Sequence, residues 1–176
     1  MKESIRNLSF DNVDAPEFFS LPYRRGVGLM VINKEKKIFI GKRIDTKNGA
    51  WQMPQEGIKD DETIAEAALR ELQEETNITE RDVNIIAESK KWLYYDLPEF
   101  LIEKLWEGQY RGQKQKWLLI NFLGTDSDIN IKTSSAEFKE WQWMDLNNVP
   151  EIVTPFKKRI YLSVVEEFRS TIENFK

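Results

Sequence analysis

Glu71, Glu74 and Glu75 are spaced by three and one along the chain. On a helix turning 100° per residue, Glu75 falls about 40° to one side of Glu71 and Glu74 about 60° to the other, so the three carboxylates share one face. Like charges at these spacings repel by about 0.2–0.5 kcal/mol per pair. No Lys or Arg follows within four residues to offset that repulsion. A bound cation would offset it, and carboxylate oxygens suit the hard ions Mg2+, Mn2+ and Ca2+. Taken alone, an acidic helix face is usually just a solvated surface. The loop before it tilts the balance, because Pro54, Gly57 and the acidic Asp60-Asp61 turn bring backbone carbonyls and a helix N-terminus beside the cluster. A Gly-bearing loop against a carboxylate face is a common way to build a metal–phosphate site.

The absent residue types narrow the chemistry further. The chain has no His and no Cys. A Ser-His-Asp triad, a His or thiolate zinc centre, a Cys nucleophile and disulfides are therefore excluded. Hydrolytic chemistry must rest on carboxylates, Lys, Tyr, Ser or Thr. The lack of Cys points to a reducing, cytoplasmic setting, and residues 1–20 carry charges throughout and lack the apolar stretch of a signal peptide. No run of about 20 apolar residues exists to span a membrane. The net charge of −4 gives no general attraction to a DNA duplex, so a nucleic-acid partner would be met only at its end.

The elements that must hold the carboxylates follow from periodicity. A helix is predicted from Glu62 to about Thr76, with Ala65, Ala68, Leu69, Leu72 and Thr76 as its core stripe, Asp60 and Asp61 at its N-cap and Asn77 as a left-handed C-cap. Ala67 falls on the acidic face, where its small side chain leaves room for an approaching group. Glu62, Glu66 and Arg70 form a separate row, with Glu66 to Arg70 in the favourable acid-first order. Residues 1–20 read as a flexible N-terminal arm, and Leu21 to Gly26 as turn chemistry. Strands are predicted over Val27–Ile32, Lys37–Arg43, Val83–Ala87, Lys91–Tyr95, Gln113–Gly124 and Phe138–Met144, with a short extended piece at Trp51–Gln55 broken by Pro54. Leu97 to Gly108 is an excursion, part of it helical. A terminal helix starts near Pro155. Strands, helix, strands, helix in 176 residues describe a single α/β domain, an α/β/α sandwich around a mixed sheet.

The stretch from Glu56 to Ile78 resembles the Nudix box, G-x5-E-x7-R-E-U-x-E-E-x-G-U, with U apolar. Glu62 is its first Glu, and Arg70-Glu71-Leu72-Gln73-Glu74-Glu75-Thr76-Asn77-Ile78 completes it at the right spacing. Further matches at Tyr23-Arg24, Gly41-Lys42-Arg43, Trp51 to Gln55, Trp92-Leu93 with Tyr95, Gly112 to Trp117, Glu137-Phe138 and Phe156-Lys157 extend the likeness across residues 21–168. They resemble the bacterial RNA pyrophosphohydrolase branch, itself similar to dinucleoside polyphosphate hydrolases. The resemblance implies a Nudix fold over residues 21–176, and Mg2+ or Mn2+ on Glu71, Glu74, Glu75, Glu137 and the Gly57 carbonyl. It implies Glu71 and Glu75 as catalytic groups, with Glu71 the base for the attacking water, and a structural ion pair between Glu62 and Arg70. Arg24, Arg43, Lys114 and Lys116 would grip phosphates, Lys157 would join them in binding the substrate, and Tyr95 and Phe156 would contact or stack on a base. Plain packing competes for Tyr95 and Phe156, a solvated sheet face competes for Lys114 and Lys116, and Trp141 and Trp143 read as core or wall.

The expected activity is conversion of a 5′-triphosphate RNA end to a 5′-monophosphate by a monomeric enzyme, promoting mRNA decay. The same site would serve a dinucleoside polyphosphate such as diadenosine tetraphosphate. A Nudix-fold nucleotide- or RNA-binding module with impaired chemistry is the reading from another class. It arises because two box glycines are replaced, by Glu56 and Asn77. Asn tolerates the left-handed region. Glu56 would carry strain of order 1–3 kcal/mol were its φ positive, and its carboxylate has two destinations, solvent or metal.

Overall fold

The apolar run at Val27–Ile32 lies at the centre of the sheet because both of its faces are covered. In the computed structural model, which describes residues 17–176, strand β1 (Tyr23–Ile32) pairs in parallel with β7 (Gly112–Phe122), from Tyr23 opposite Gly112 to Ile32 opposite Asn121. Around this pair lie β2 (Ile38–Arg43), β3 (Trp51–Gln52), β4 (Gln55–Gly57), β5 (Val83–Glu88), β6 (Leu93–Asp96) and β8 (Phe138–Met144). The sheet runs β3-β2-β1-β7-β5, with β4 also on β1, β6 on β7 and β8 on β2. These further pairings are antiparallel, so the sheet is mixed.

Alternation sorts the side chains into two cores. Val27, Leu29 and Val31 face helix α1 (Ile64–Thr76) through Ala67, Ala68 and Leu72. Met30 and Ile32 face helix α4 (Lys158–Asn174) through Ile160, Tyr161, Val164 and Phe168. Strand β7 divides in the same way, with Trp117 and Leu119 towards α4, and Leu118 and Ile120 towards α1. Period-two burial on both faces explains why the sequence is continuously apolar there. The Trp117 ring lies flat against Gly28, where a Cβ would sit 2.4 Å from the indole. Two one-turn helices, α2 (Glu99–Ile102) and α3 (Val149–Ile152), complete the elements, and no helix among the described residues is long and apolar enough to cross a membrane.

Several local expectations change. Strand β1 begins at Tyr23, since pairing with Gly112–Gln115 of β7 extends it through the residues read as a turn. Helix α1 begins at Ile64, and its N-cap is Thr63, whose Oγ1 accepts the Glu66 amide while the Glu66 carboxylate accepts the Thr63 amide. Asp60 and Asp61 are exposed in the loop before it. This reciprocal box satisfies two otherwise orphaned donors, so Thr63→Ala lowers stability by about 1 kcal/mol, read as a shift in the urea midpoint with an unchanged slope. Asn77 caps the other end at φ 62°. Ala67 is fully buried against β1, so it opens no space beside the acidic face. The arm expected over residues 1–20 lies, up to residue 16, outside the described residues, while Glu17–Ser20 forms a 3-10 turn whose Phe19 carbonyl accepts Arg111 Nη1 at 2.9 Å.

Candidate active site

The site starts from β4, which sets Glu56 opposite Val27 of β1. Its backbone is that of a strand, and the positive-φ non-Gly residues are Lys36, Asn77, Trp106 and Glu107 among the described residues. The strain that a positive φ would give Glu56 is therefore absent. Its carboxylate, 34% exposed, pairs with Arg24 Nη1 at 2.5 Å and adds like charge to Glu71 and Glu75. Gly57 leaves room for this pair, since a Cβ there would lie 2.3 Å from Arg24 Nη2 and push the guanidinium aside.

Arg70 organises the acidic face. Its guanidinium binds Glu62 through Nε and Nη2, meets Glu71 and, at 3.4 Å, Glu74 through Nη1, and donates from Nη2 to the Gly57 carbonyl at 3.2 Å. The Glu62–Arg70 ion pair is thus present, and it holds the Glu62 carboxyl at about 2. The expected Glu66–Arg70 contact is not made, because Glu66 turns to the Thr63 cap. Thr133 Oγ1 donates to the Glu74 carbonyl, tying the last turn of α1 to the loop before β8.

On the other side of the same face, Glu75 is 1% exposed and neither of its carboxylate oxygens has a hydrogen-bond partner. Oε2 of Glu137 is also buried and without one, its nearest cation being Arg43 Nη1 at 3.9 Å. Arg43 itself is held by Asp45 through Nε and Nη2. Burial drives the Glu75 carboxyl well above the ordinary range, reinforced by Glu137, Glu71 and Glu56. Burial likewise lifts Glu71 to about 7, outweighing Arg70, and raises Glu137. Among the described residues no three carboxylates stand close enough together to hold a metal ion as they are placed. The donor set nonetheless fits a hard divalent cation. Buried carboxylate oxygens without partners are costly, and here they cluster with further carboxylates and a main-chain carbonyl held on Arg70.

Beside this face, on the α4 side of the sheet, lies a cavity of about 470 Å3 lined by Arg24, Arg43, Glu56, Tyr95, Gln113, Phe156 and Lys157 among others. The Tyr95 and Phe156 rings stand 5.9 Å apart, and the Lys157 ammonium lies 5.4 and 5.9 Å from their centroids. Lys157 Nζ donates to Gln52 Oε1 at 3.1 Å, and burial with Arg43 nearby brings its pKa down to about 7. A chain of buried amides fixes this wall. Trp117 Nε1 donates to Gln115, whose Nε2 donates to Gln113 and Gln55, and Gln55 donates to Gln52.

Five of the expected substrate residues thus meet in one cavity: Arg24, Arg43, Tyr95, Phe156 and Lys157. Lys114 and Lys116 do not join them. With period two along β7 they point to the opposite face from Gln113 and Gln115. There Lys114 lies over the Trp92 ring, and Lys116 donates to the Ser89 carbonyl and pairs with Glu88. Gln113, Asp45 and Trp106 were missed. The parity of β7 carried the signal for Gln113, whereas Trp106, whose ring lies 5.2 Å from the Arg24 guanidinium carbon, had no local pattern to betray it. Trp141 packs on Phe39 at 5.6 Å as wall.

A mixed sheet between two helices, one of them carrying the acidic face, defines a class, and the model of the NUDIX domain matches residues 22–164. The chain belongs to the NUDIX domain family, whose hydrolases generally use divalent metal ions. At closer range it is 53% identical over 162 residues to the RNA pyrophosphohydrolase of Rickettsia bellii, covering 92% of this chain and 99% of that protein. It is 54% identical over 157 residues to the RNA pyrophosphohydrolase of Novosphingobium aromaticivorans, covering 88% and 98%. Among solved structures, a C. elegans Ap4A hydrolase binary complex matches with a TM-score of 0.64 at 21% identity, over 86% of this chain and 99% of that one. The last likeness speaks to the fold.

Proposed function

We propose that this chain is an RNA pyrophosphohydrolase that removes pyrophosphate from the 5′-triphosphate end of RNA and leaves a 5′-monophosphate, so promoting mRNA decay. The observation that carries the chemical part is the pair of buried, unpartnered Glu75 oxygens among Glu71, Glu56 and Glu137. A module that only bound RNA would have only a proton shared between Glu75 and Glu137 to offset burying them. The substrate part follows from relatives named RNA pyrophosphohydrolase that align over nearly their whole length.

Glu71, Glu74, Glu75, Glu137 and the Gly57 carbonyl would hold Mg2+ or Mn2+. Such ions spread phosphate charge and favour deprotonation of water. Glu71 would take the proton of the attacking water. Arg70 holds Glu71 and Glu74 in register along the face. Arg24, Arg43 and Lys157 meet the phosphates, and Phe156, backed by the buried Tyr95 ring, grips a base by its π-face, which needs little sequence preference. A dinucleoside polyphosphate is the second reading, favoured by a cavity whose stacking rings would accept an adenine as well as an RNA base. Side-by-side turnover of a 5′-triphosphorylated oligonucleotide and of diadenosine tetraphosphate tests the choice. Higher kcat/KM on the RNA supports the first reading, and the reverse order supports the second.

Lys157 gives a pH signature. It titrates near 7 in the folded chain and at 10.5 when unfolded, so the folded state holds fewer protons and its stability contribution rises as pH climbs from about 7 to 10.5. Phosphate binding needs the protonated form. Affinity for ATP in metal-free buffer should therefore fall by up to about thirtyfold between pH 6 and 8.5, and Lys157→Met should flatten that slope in calorimetry.

A further inference from the structure

Glu56 stands where the box pattern has Gly, and its carboxylate is bound as an anion is bound. Oε1 accepts Arg24 Nη1 at 2.5 Å and the Gly57 amide at 2.8 Å. A guanidinium with a neighbouring backbone N–H is a phosphate-recognising pair. Arg24 has little freedom to serve two anions independently. Its guanidinium rests on the bare Cα of Gly57 and lies over the Trp106 ring, 5.2 Å from the centroid. Both Arg24 and Glu56 line the cavity that holds Tyr95, Phe156 and Lys157.

We propose that Glu56 is an internal competitor for phosphate at Arg24, a specificity residue that weakens the hold on singly phosphorylated ends. In the free protein the carboxylate keeps Arg24 folded against Gly57 and Trp106. An incoming phosphate must displace it, and the displaced carboxylate then faces the ligand as a like charge. A triphosphate end has further charges to place on Arg43 and Lys157 and overcomes this opposition. A monophosphate end has fewer such contacts, so the product leaves readily. Gly at position 56 would give Arg24 to either ligand without competition.

This inference rests on the phosphate role given to Arg24 above, and its test is separable from that of the activity. The probe is a 5′-phosphorylated dinucleotide in metal-free buffer, titrated calorimetrically. Glu56→Gln keeps the side-chain shape and the strand backbone while removing the charge, and it should bind the probe about five- to tenfold more tightly than the unaltered protein. In an Arg24→Gln background only the like-charge repulsion is left to relieve, so the same change should give a clearly smaller gain. With a triphosphorylated RNA and Mg2+, Glu56→Gln should show stronger inhibition by the monophosphate product and a lower KM. Equal affinity of the two proteins for the dinucleotide, including no measurable binding by either, overturns the inference, as does a gain just as large without Arg24. Either result would leave pyrophosphate release by the unaltered protein, and so the proposed activity, standing on its own measurement.

Discussion

Replacing Glu75 by Gln should lower kcat/KM by about a thousandfold and, in the same protein, raise stability in metal-free buffer. The activity loss follows from removing a carboxylate that would share the charge of a divalent cation, a contribution of several kcal/mol to the transition state. The stability gain follows from the cost of burial. Glu75 is 1% exposed, both its oxygens lack partners, and Glu137, Glu71 and Glu56 add like charge. A neutral amide of the same shape relieves that repulsion, by about 1–3 kcal/mol at pH 8. The pH dependence has an unusual sign for carboxylates. Glu71 and Glu75 titrate near 4.5 when unfolded, and higher when folded, Glu71 at about 7. The folded chain therefore holds more protons, and this contribution, fully present below about 4.5, is lost as pH rises towards 7 and above. Metal-free denaturation at pH 5 and pH 8 should show the unaltered protein losing stability across that window and Glu75→Gln losing less. A Gln variant equally unstable at pH 8 would mean that Glu75 is satisfied without a cation.

Arg70→Met should be costly on both counts. The guanidinium joins Glu62, Glu71, Glu74 and the Gly57 carbonyl, and its side chain is only 19% exposed. Removing one member of a buried ionic group leaves the others uncompensated, which costs about 3–5 kcal/mol when fully buried and about 2–4 kcal/mol at this partial exposure. Glu71 and Glu74 would also lose their common anchor, so kcat should fall about 10–100-fold, as for residues that orient metal ligands. Denaturant unfolding and steady-state kinetics on Arg70→Met and Arg70→Lys separate the two effects. Lys restores charge without the planar fork, so it should recover part of the stability and little of the activity.

The helix and its carboxylates were legible because a 100° rotation per residue fixes which side chains share a face, whatever the fold around them. The partner of Arg70 was legible only in part. Within a helix Glu66 is the natural neighbour, but the loop folds back and brings Glu62 to the guanidinium, while Thr63 claims Glu66. The Thr63-x-x-Glu66 capping box was present in the sequence and was obscured by the more conspicuous Asp60-Asp61. Lys114 and Lys116 illustrate a different limit. Their alternation along β7 was plain, yet which face lines the cavity depends on β1, β6 and α4 packing around the strand, information not contained in the strand itself. The Arg24–Glu56 contact was invisible for the same reason, since it spans β1 and β4 and depends on Gly57 leaving room. Trp106 lies in an irregular excursion with positive φ at 106 and 107, a conformation that no periodicity announces.

The account stands or falls most directly on pyrophosphate release from a 5′-triphosphorylated oligonucleotide, measured with and without Mg2+ for the unaltered protein and for Glu74→Gln. It predicts pyrophosphate and 5′-monophosphorylated RNA in equal amounts from the unaltered protein, nothing without divalent cation, and a rate at least about a hundredfold lower for Glu74→Gln. No metal-dependent pyrophosphate from the unaltered protein, or full activity in Glu74→Gln, would contradict it.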